Sequence, residues 1–159
     1  MRERLLKLVA TGLGAGYVPR APGTAGSLVG LVYWWLLVQF HNDYLYVAVL
    51  AAGVAFAVWC AGAAAKLIGH PDPPCVVIDE IAVMPLALVG VDVDFKIWKV
   101  VLAFALFRAF DVWKPGVVGR LQKIPGGLGI VMDDVAAAVC AAVITQMLVV
   151  LAAVYGIFK

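Results

Sequence analysis

Phe107-Arg108-Ala109-Phe110-Asp111-Val112-Trp113-Lys114-Pro115 sets three charges at intervals of three residues inside strongly apolar sequence. Side chains three apart project from one helix face in successive turns, so Arg108, Asp111 and Lys114 form a charged stripe. Residues 97–106 before it are largely apolar, and residues 135–158 after it hold no charge at all. A charged face in such surroundings is costly to bury and is rarely kept without a task. The competing reading is a helix end emerging into water, with snorkelling Arg and Lys and a solvated Asp.

The surroundings are those of a membrane protein. The chain is 65% hydrophobic and only 14% charged, with a mean hydropathy of +1.03. A soluble domain is nearer half apolar and a quarter charged. At 159 residues a single domain spanning 1–159 is expected. Its fold class is all-α, a small integral membrane helical bundle. About five membrane helices are expected, at residues 28–40, 44–65, 75–90, 96–110 and 135–158, with a short amphipathic helix over residues 2–11. The apolar part of that N-terminal helix is too short for a cleaved signal peptide. A net charge of +2 without any basic run argues against nucleic acid. Cys60, Cys75 and Cys140 lack metal or redox spacing and read as buried thiols. Oligomeric state is not legible.

Residues 12–27 carry five glycines and two prolines, a density that predicts an irregular loop. No Gly-Lys-Ser/Thr follows, so it is not a P-loop. Thr24 and Ser27 suit either the cap of the next helix or contact with a ligand. Asp79-Glu80 lies inside an apolar stretch in which Pro85 permits a kink. Residues 90–94 read as a turn, and the Asp133-Asp134 pair is expected to open the last helix.

Alternating the five segments across a bilayer places Arg2, Arg4, Lys7, Arg20, Lys66, Arg108, Lys114, Arg120 and Lys123 on one side, nine of the twelve basic residues. Only Lys96, Lys99 and Lys159 fall opposite, so the positive-inside rule makes the first side cytoplasmic. Asp72, Asp79, Glu80, Asp111, Asp133 and Asp134 join the same side. Carboxylates gathered at one depth repel one another unless a cation joins them. Oxygen ligands without His or Cys favour Mg²⁺ over zinc or copper. Arg108, Lys114 and Arg20 suit a phosphate held against that ion. Together with the membrane, this points to hydrolysis or transfer at a lipid phosphate headgroup. A membrane cation or proton carrier and an inactive membrane scaffold are the alternatives. A carrier would spread its acids through the membrane depth rather than gather them at one face.

Four blocks then resemble a known family. They begin at Gly14-Ala-Gly-Tyr-Val-Pro-Arg-Ala-Pro-Gly-Thr-Ala-Gly-Ser-Leu28, Val77-Ile-Asp-Glu80, Phe107-Arg-Ala-Phe-Asp-Val-Trp-Lys-Pro115 and Gly127-Leu-Gly-Ile-Val-Met-Asp-Asp-Val135. In this order they are similar to bacterial phosphatidylglycerophosphatase A. The resemblance implies an all-helical, Mg²⁺-dependent enzyme of the bacterial inner membrane with its site facing the cytoplasm. It would convert phosphatidylglycerophosphate to phosphatidylglycerol and phosphate. It also implies that Asp79, Glu80, Asp111, Asp133 and Asp134 serve the metal, with Asp79, Asp111 and Asp134 in catalytic roles. Arg108 and Lys114 would hold phosphate with Arg20, Thr24 and Ser27 beside them, and Asp72 would be an accessory acid. The chain departs from the family pattern at Val83, Gly116-Val117 and Ala138, which removes no carboxylate or cation. Attack by water and a phospho-aspartate intermediate both remain open.

Overall fold

The computed structural model describes residues 1–91 and 97–156. Among these residues the chain is all-helical. The helices are α1 (Arg2–Ala10), α2 (Pro22–Val38), α3 (Asp43–Ile68), α4 (Ile78–Ala87), α5 (Ile97–Trp113), α6 (Val117–Leu121) and α7 (Gly127–Val154), with a 3-10 turn at Ala15–Tyr17.

The ends of the long helices follow from local chemistry. The Asn42 side chain caps α3 by accepting a hydrogen bond from the Leu45 amide at 3.0 Å. Gly69, with φ of 78°, turns the chain out at the other end of α3. α4 is the hub, packed against α2, α3 and α7, while α5 packs on α7. Small residues make these approaches close: Ala57, Cys60, Ala61 and Ala64 on α3, and Ala137, Ala138 and Ala141 on α7, are fully buried. Pro85 lies inside α4, and the Tyr46 hydroxyl donates to the Pro85 carbonyl at 2.6 Å. Val77 donates its amide to the Ala10 carbonyl at 2.9 Å, tying the end of α1 to the start of α4. Two of the departures from the family pattern, Val83 and Ala138, are fully buried core residues.

Two helices, α3 and α7, are long and apolar enough to cross a membrane, and only 28% of each apolar window is buried within the protein. Phe56, Trp59, Val143, Met147 and Val150 lie on the exposed remainder. Apolar surface on that scale suits lipid better than water. α2 and α5, with 17 residues each, reach about 25 Å, and α4, with 10, about 15 Å.

Several sequence expectations shift. Residues 22–27 are not loop but the opening of α2, because Pro22 suits the first helical turn. Thr24 and Ser27 therefore do not cap that helix. α7 begins at Gly127, so Asp133 and Asp134 sit in its second turn rather than at its start. α3 runs past Lys66 to Ile68, and α5 runs to Trp113. α6 had no apolar period long enough to announce it. The turn at residues 90–94 falls largely outside the described residues, as do Lys96 and Lys159.

Gly127 starts α7 against α3, and a Cβ there would lie 1.9 Å from the Val58 carbonyl oxygen. Backbone cannot yield as a side-chain tip does. Gly127→Ala is expected to destabilise by about 1–3 kcal/mol, read as a lower thermal midpoint in detergent. An unchanged midpoint would mean the two helices have slack at that crossing.

Candidate active site

The N-terminal turns of α2, α4 and α7 and the C-terminal turns of α5 meet at one end of the bundle. Between them lies a cavity of about 410 Å³, lined by Asp72, Asp79, Glu80, Asp111, Asp133 and Asp134 together with Arg20, Arg108 and Lys114. Six carboxylates thus face three cations. A larger groove of about 780 Å³ between α1 and α3 is nearly all apolar and holds no such cluster.

The acids are embedded. Asp79, Asp111, Asp133 and Asp134 are between 2% and 8% exposed. Asp79 and Glu80 occupy the first turn of α4, where the helix dipole favours negative charge. Asp79, Glu80 and Asp134 each bring an oxygen within 4.8 Å of the others. Asp79 Oδ1, Glu80 Oε2, Asp133 Oδ1 and Asp134 Oδ2 are buried without a hydrogen-bond partner among the described residues. Buried carboxylate oxygens left unpaired are expensive. Their number, closeness and all-oxygen character fit a hard divalent cation.

Consecutive helix residues point about 100° apart, and Asp133 and Asp134 divide accordingly. Asp134 joins Asp79 and Glu80. Asp133 accepts a hydrogen bond from Lys114 Nζ at 2.5 Å. Burial alone would lower the Lys114 pKa, but that hydrogen bond and the charges of Asp133, Asp111 and Asp134 outweigh it. The net shift is upward, so the ammonium stays charged at neutral pH. Lys114 and Arg20 are both held at positive φ, 47° and 70°. Such strain in non-glycine residues persists only where the surroundings impose it, and it gathers at working sites.

Arg108 Nη1 donates to Asp111 Oδ2 at 2.5 Å and to Ser27 Oγ at 3.4 Å, and lies 3.9 Å from Glu80 Oε1. Arg108 Nε is buried without a partner among the described residues. The stripe of Arg108, Asp111 and Lys114 thus lines the cavity and is not a solvated helix end.

The remaining candidates sit differently. Arg20 and Thr24 also line the cavity. Asp72 is exposed and accepts a hydrogen bond from Gln122 Nε2 at 3.1 Å, outside the tight cluster. Ser27 is fully buried. Sequence reasoning missed Gln122 and Gly23. A Cβ on Gly23 would lie 2.3 Å from Glu80 Oε1 and 3.1 Å from Arg108 Nη1 and Nη2. The available signal was the spacing of Gly23, Gly26 and Gly30 along one helix face.

The family model described as phosphatidylglycerophosphatase A matches residues 8–149. A Bacteroides thetaiotaomicron protein provisionally named a phosphatidylinositol-3-phosphatase is 40% identical over 83% of this chain and 86% of its own length. Phosphatidylglycerophosphatase A of Escherichia coli is 35% identical over 85% of this chain and 78% of the relative. The Haemophilus influenzae protein of the same name is 30% identical over 87% and 85%. No solved structure gave a match. A family model accounting for all but the two ends of the chain, joined by relatives matched along most of their own length, leaves one assignment: this chain belongs to the phosphatidylglycerophosphatase A family and is a phosphatase.

Proposed function

We propose that the protein is a Mg²⁺-dependent phosphatidylglycerophosphatase, hydrolysing the terminal phosphomonoester of phosphatidylglycerophosphate to phosphatidylglycerol and phosphate. One observation carries this reading: unpartnered buried oxygens of Asp79, Glu80 and Asp134 share a cavity with Arg108 and Lys114. Asp79, Glu80 and Asp134 would hold the ion most closely, with Asp111 and Asp133 completing the carboxylate set. When bound, Mg²⁺ supplies Lewis-acid neutralisation of charge on the phosphoryl group.

The chain's own groups do the rest. Arg108 offers donors to the phosphoryl oxygens, and the Lys114 ammonium adds a fixed positive charge beside them. Both would act most strongly as charge builds in the transition state, in a pocket whose burial strengthens each interaction. As the ester P–O bond breaks, a carboxylate from Asp79, Asp111 or Asp134 accepts the proton of the attacking water, and that proton passes on to the departing glycerol oxygen. Arg20 and Thr24, which line the same cavity, would meet the rest of the headgroup.

In the same reading the protein is a multi-pass protein of the bacterial inner membrane with its cavity on the cytoplasmic side. Arg20, Arg108 and Lys114 at the cavity support this. Phosphate release by the purified protein tests the function, using phosphatidylglycerophosphate and phosphatidylinositol 3-phosphate in mixed micelles, with Mg²⁺ and with EDTA. Release from phosphatidylglycerophosphate in Mg²⁺, and its loss in EDTA, is the expected result. Preference for the inositol lipid would reassign the substrate, and full activity in EDTA would remove the metal.

A further inference from the structure

We propose that Ser27 is a positioning residue that sets the Arg108 guanidinium, instead of a group that touches phosphate. The proposal rests on reading the cavity as a phosphate site.

Ser27 is fully buried in the second turn of α2. Its hydroxyl donates to the Gly23 carbonyl one turn earlier at 2.8 Å, so its proton is committed. The oxygen then presents a lone pair, and Arg108 Nη1 donates to it at 3.4 Å. Gly23, four residues before Ser27 and on the same face, has no Cβ, which leaves the room that the guanidinium and the Glu80 carboxylate occupy. Among the described residues α2 packs chiefly on α4 and α5 chiefly on α7. Gly23 and Ser27 therefore form a seat on α2 for a side chain carried by α5.

The seat decides which donors are free. Nη1 is engaged by Ser27 and Asp111, whereas Nε has no partner among the described residues. A guanidinium recognises phosphate best through two parallel donors. Holding Nη1 on the protein leaves the rest of the fork for the anion.

Such a role acts through Arg108, so a double-mutant cycle separates it from the others. Ser27→Ala is expected to lower phosphate release from phosphatidylglycerophosphate, and affinity for inorganic phosphate measured without turnover, by about tenfold each. In an Arg108→Ala background the same change is expected to cost less than twofold. Ser27→Cys, which fills the site but accepts hydrogen bonds poorly, should reproduce the loss at an unchanged thermal midpoint. A tenfold loss that persists without Arg108 would overturn the proposal in favour of direct phosphate contact. A loss seen only with a lowered midpoint in both variants would reduce Ser27 to packing, and a harmless Ser27→Ala would end the idea. If no lipid phosphate is hydrolysed yet the phosphate-binding cycle holds, the proposed reaction fails and the role of Ser27 stands.

Discussion

Asp134→Asn is expected to yield a folded protein whose phosphate release falls by about three orders of magnitude at ordinary Mg²⁺ concentrations. The amide keeps the size of the side chain and removes a charge from the group in which Asp79, Glu80 and Asp134 lie within 4.8 Å. Metal-borne charge stabilisation is worth several kcal/mol, roughly a thousandfold in rate. The fold should tolerate the change, because it relieves repulsion among crowded, buried carboxylates. A Mg²⁺ series checks the cause. Partial recovery at high concentration places the damage in affinity, and a flat low rate places it in chemistry. Normal turnover at low Mg²⁺ would exclude Asp134 from the ion and undo the proposed metal centre. Asp133→Asn is the informative neighbour, since its carboxylate is engaged by Lys114 instead, and the Mg²⁺ dependence should shift less.

Much of this was legible in the sequence because long apolar helices are written in simple runs. α3 and α7 could be found from the apolar stretches 44–65 and 135–158, although α3 runs on to Ile68 and α7 begins earlier, at Gly127. The charged stripe on α5 was legible for a related reason: three charges at helical spacing stand out where nothing else is charged. Alternating the segments led to the expectation that Asp79-Glu80 and Asp133-Asp134 lie beside it, and all four line the same cavity.

What the sequence hid depends on packing. The glycines of α2 reduce helix propensity by about 1 kcal/mol each, so residues 22–27 read as loop. Their value appears only against α4, where Gly26 and Gly30 meet Val77 and Met84 at distances no side chain would allow. Ser27 looked like a cap for the same reason and proves to be an interior helix residue against Arg108. Adjacent Asp133 and Asp134 look equivalent in one dimension, and only a helix that starts at Gly127 sends them to different partners. α4 was read as a full segment from its apolar run, yet its helix has 10 residues.

Lys114→Ala is expected to cost about a hundredfold in rate, the ~3 kcal/mol that a single charged donor contributes in a transition state. That number alone decides little, because the change strands Asp133, which is 2% exposed and paired with Lys114 Nζ. Removing one partner of a buried ion pair commonly costs about 3–5 kcal/mol of stability. The single variant could therefore fail by losing its fold. The double variant Lys114→Ala with Asp133→Asn removes both charges and restores electrical balance, so its thermal midpoint should return toward that of the parent protein. Its rate should not. If Lys114 serves phosphate, turnover of the stable double variant stays roughly a hundredfold below that of Asp133→Asn alone. If Lys114 only neutralises Asp133, the double variant matches Asp133→Asn in turnover as its stability returns. Phosphate release and thermal midpoint measured on the parent, both single variants and the double separate the two, and recovery of both together would remove Lys114 from the phosphate site.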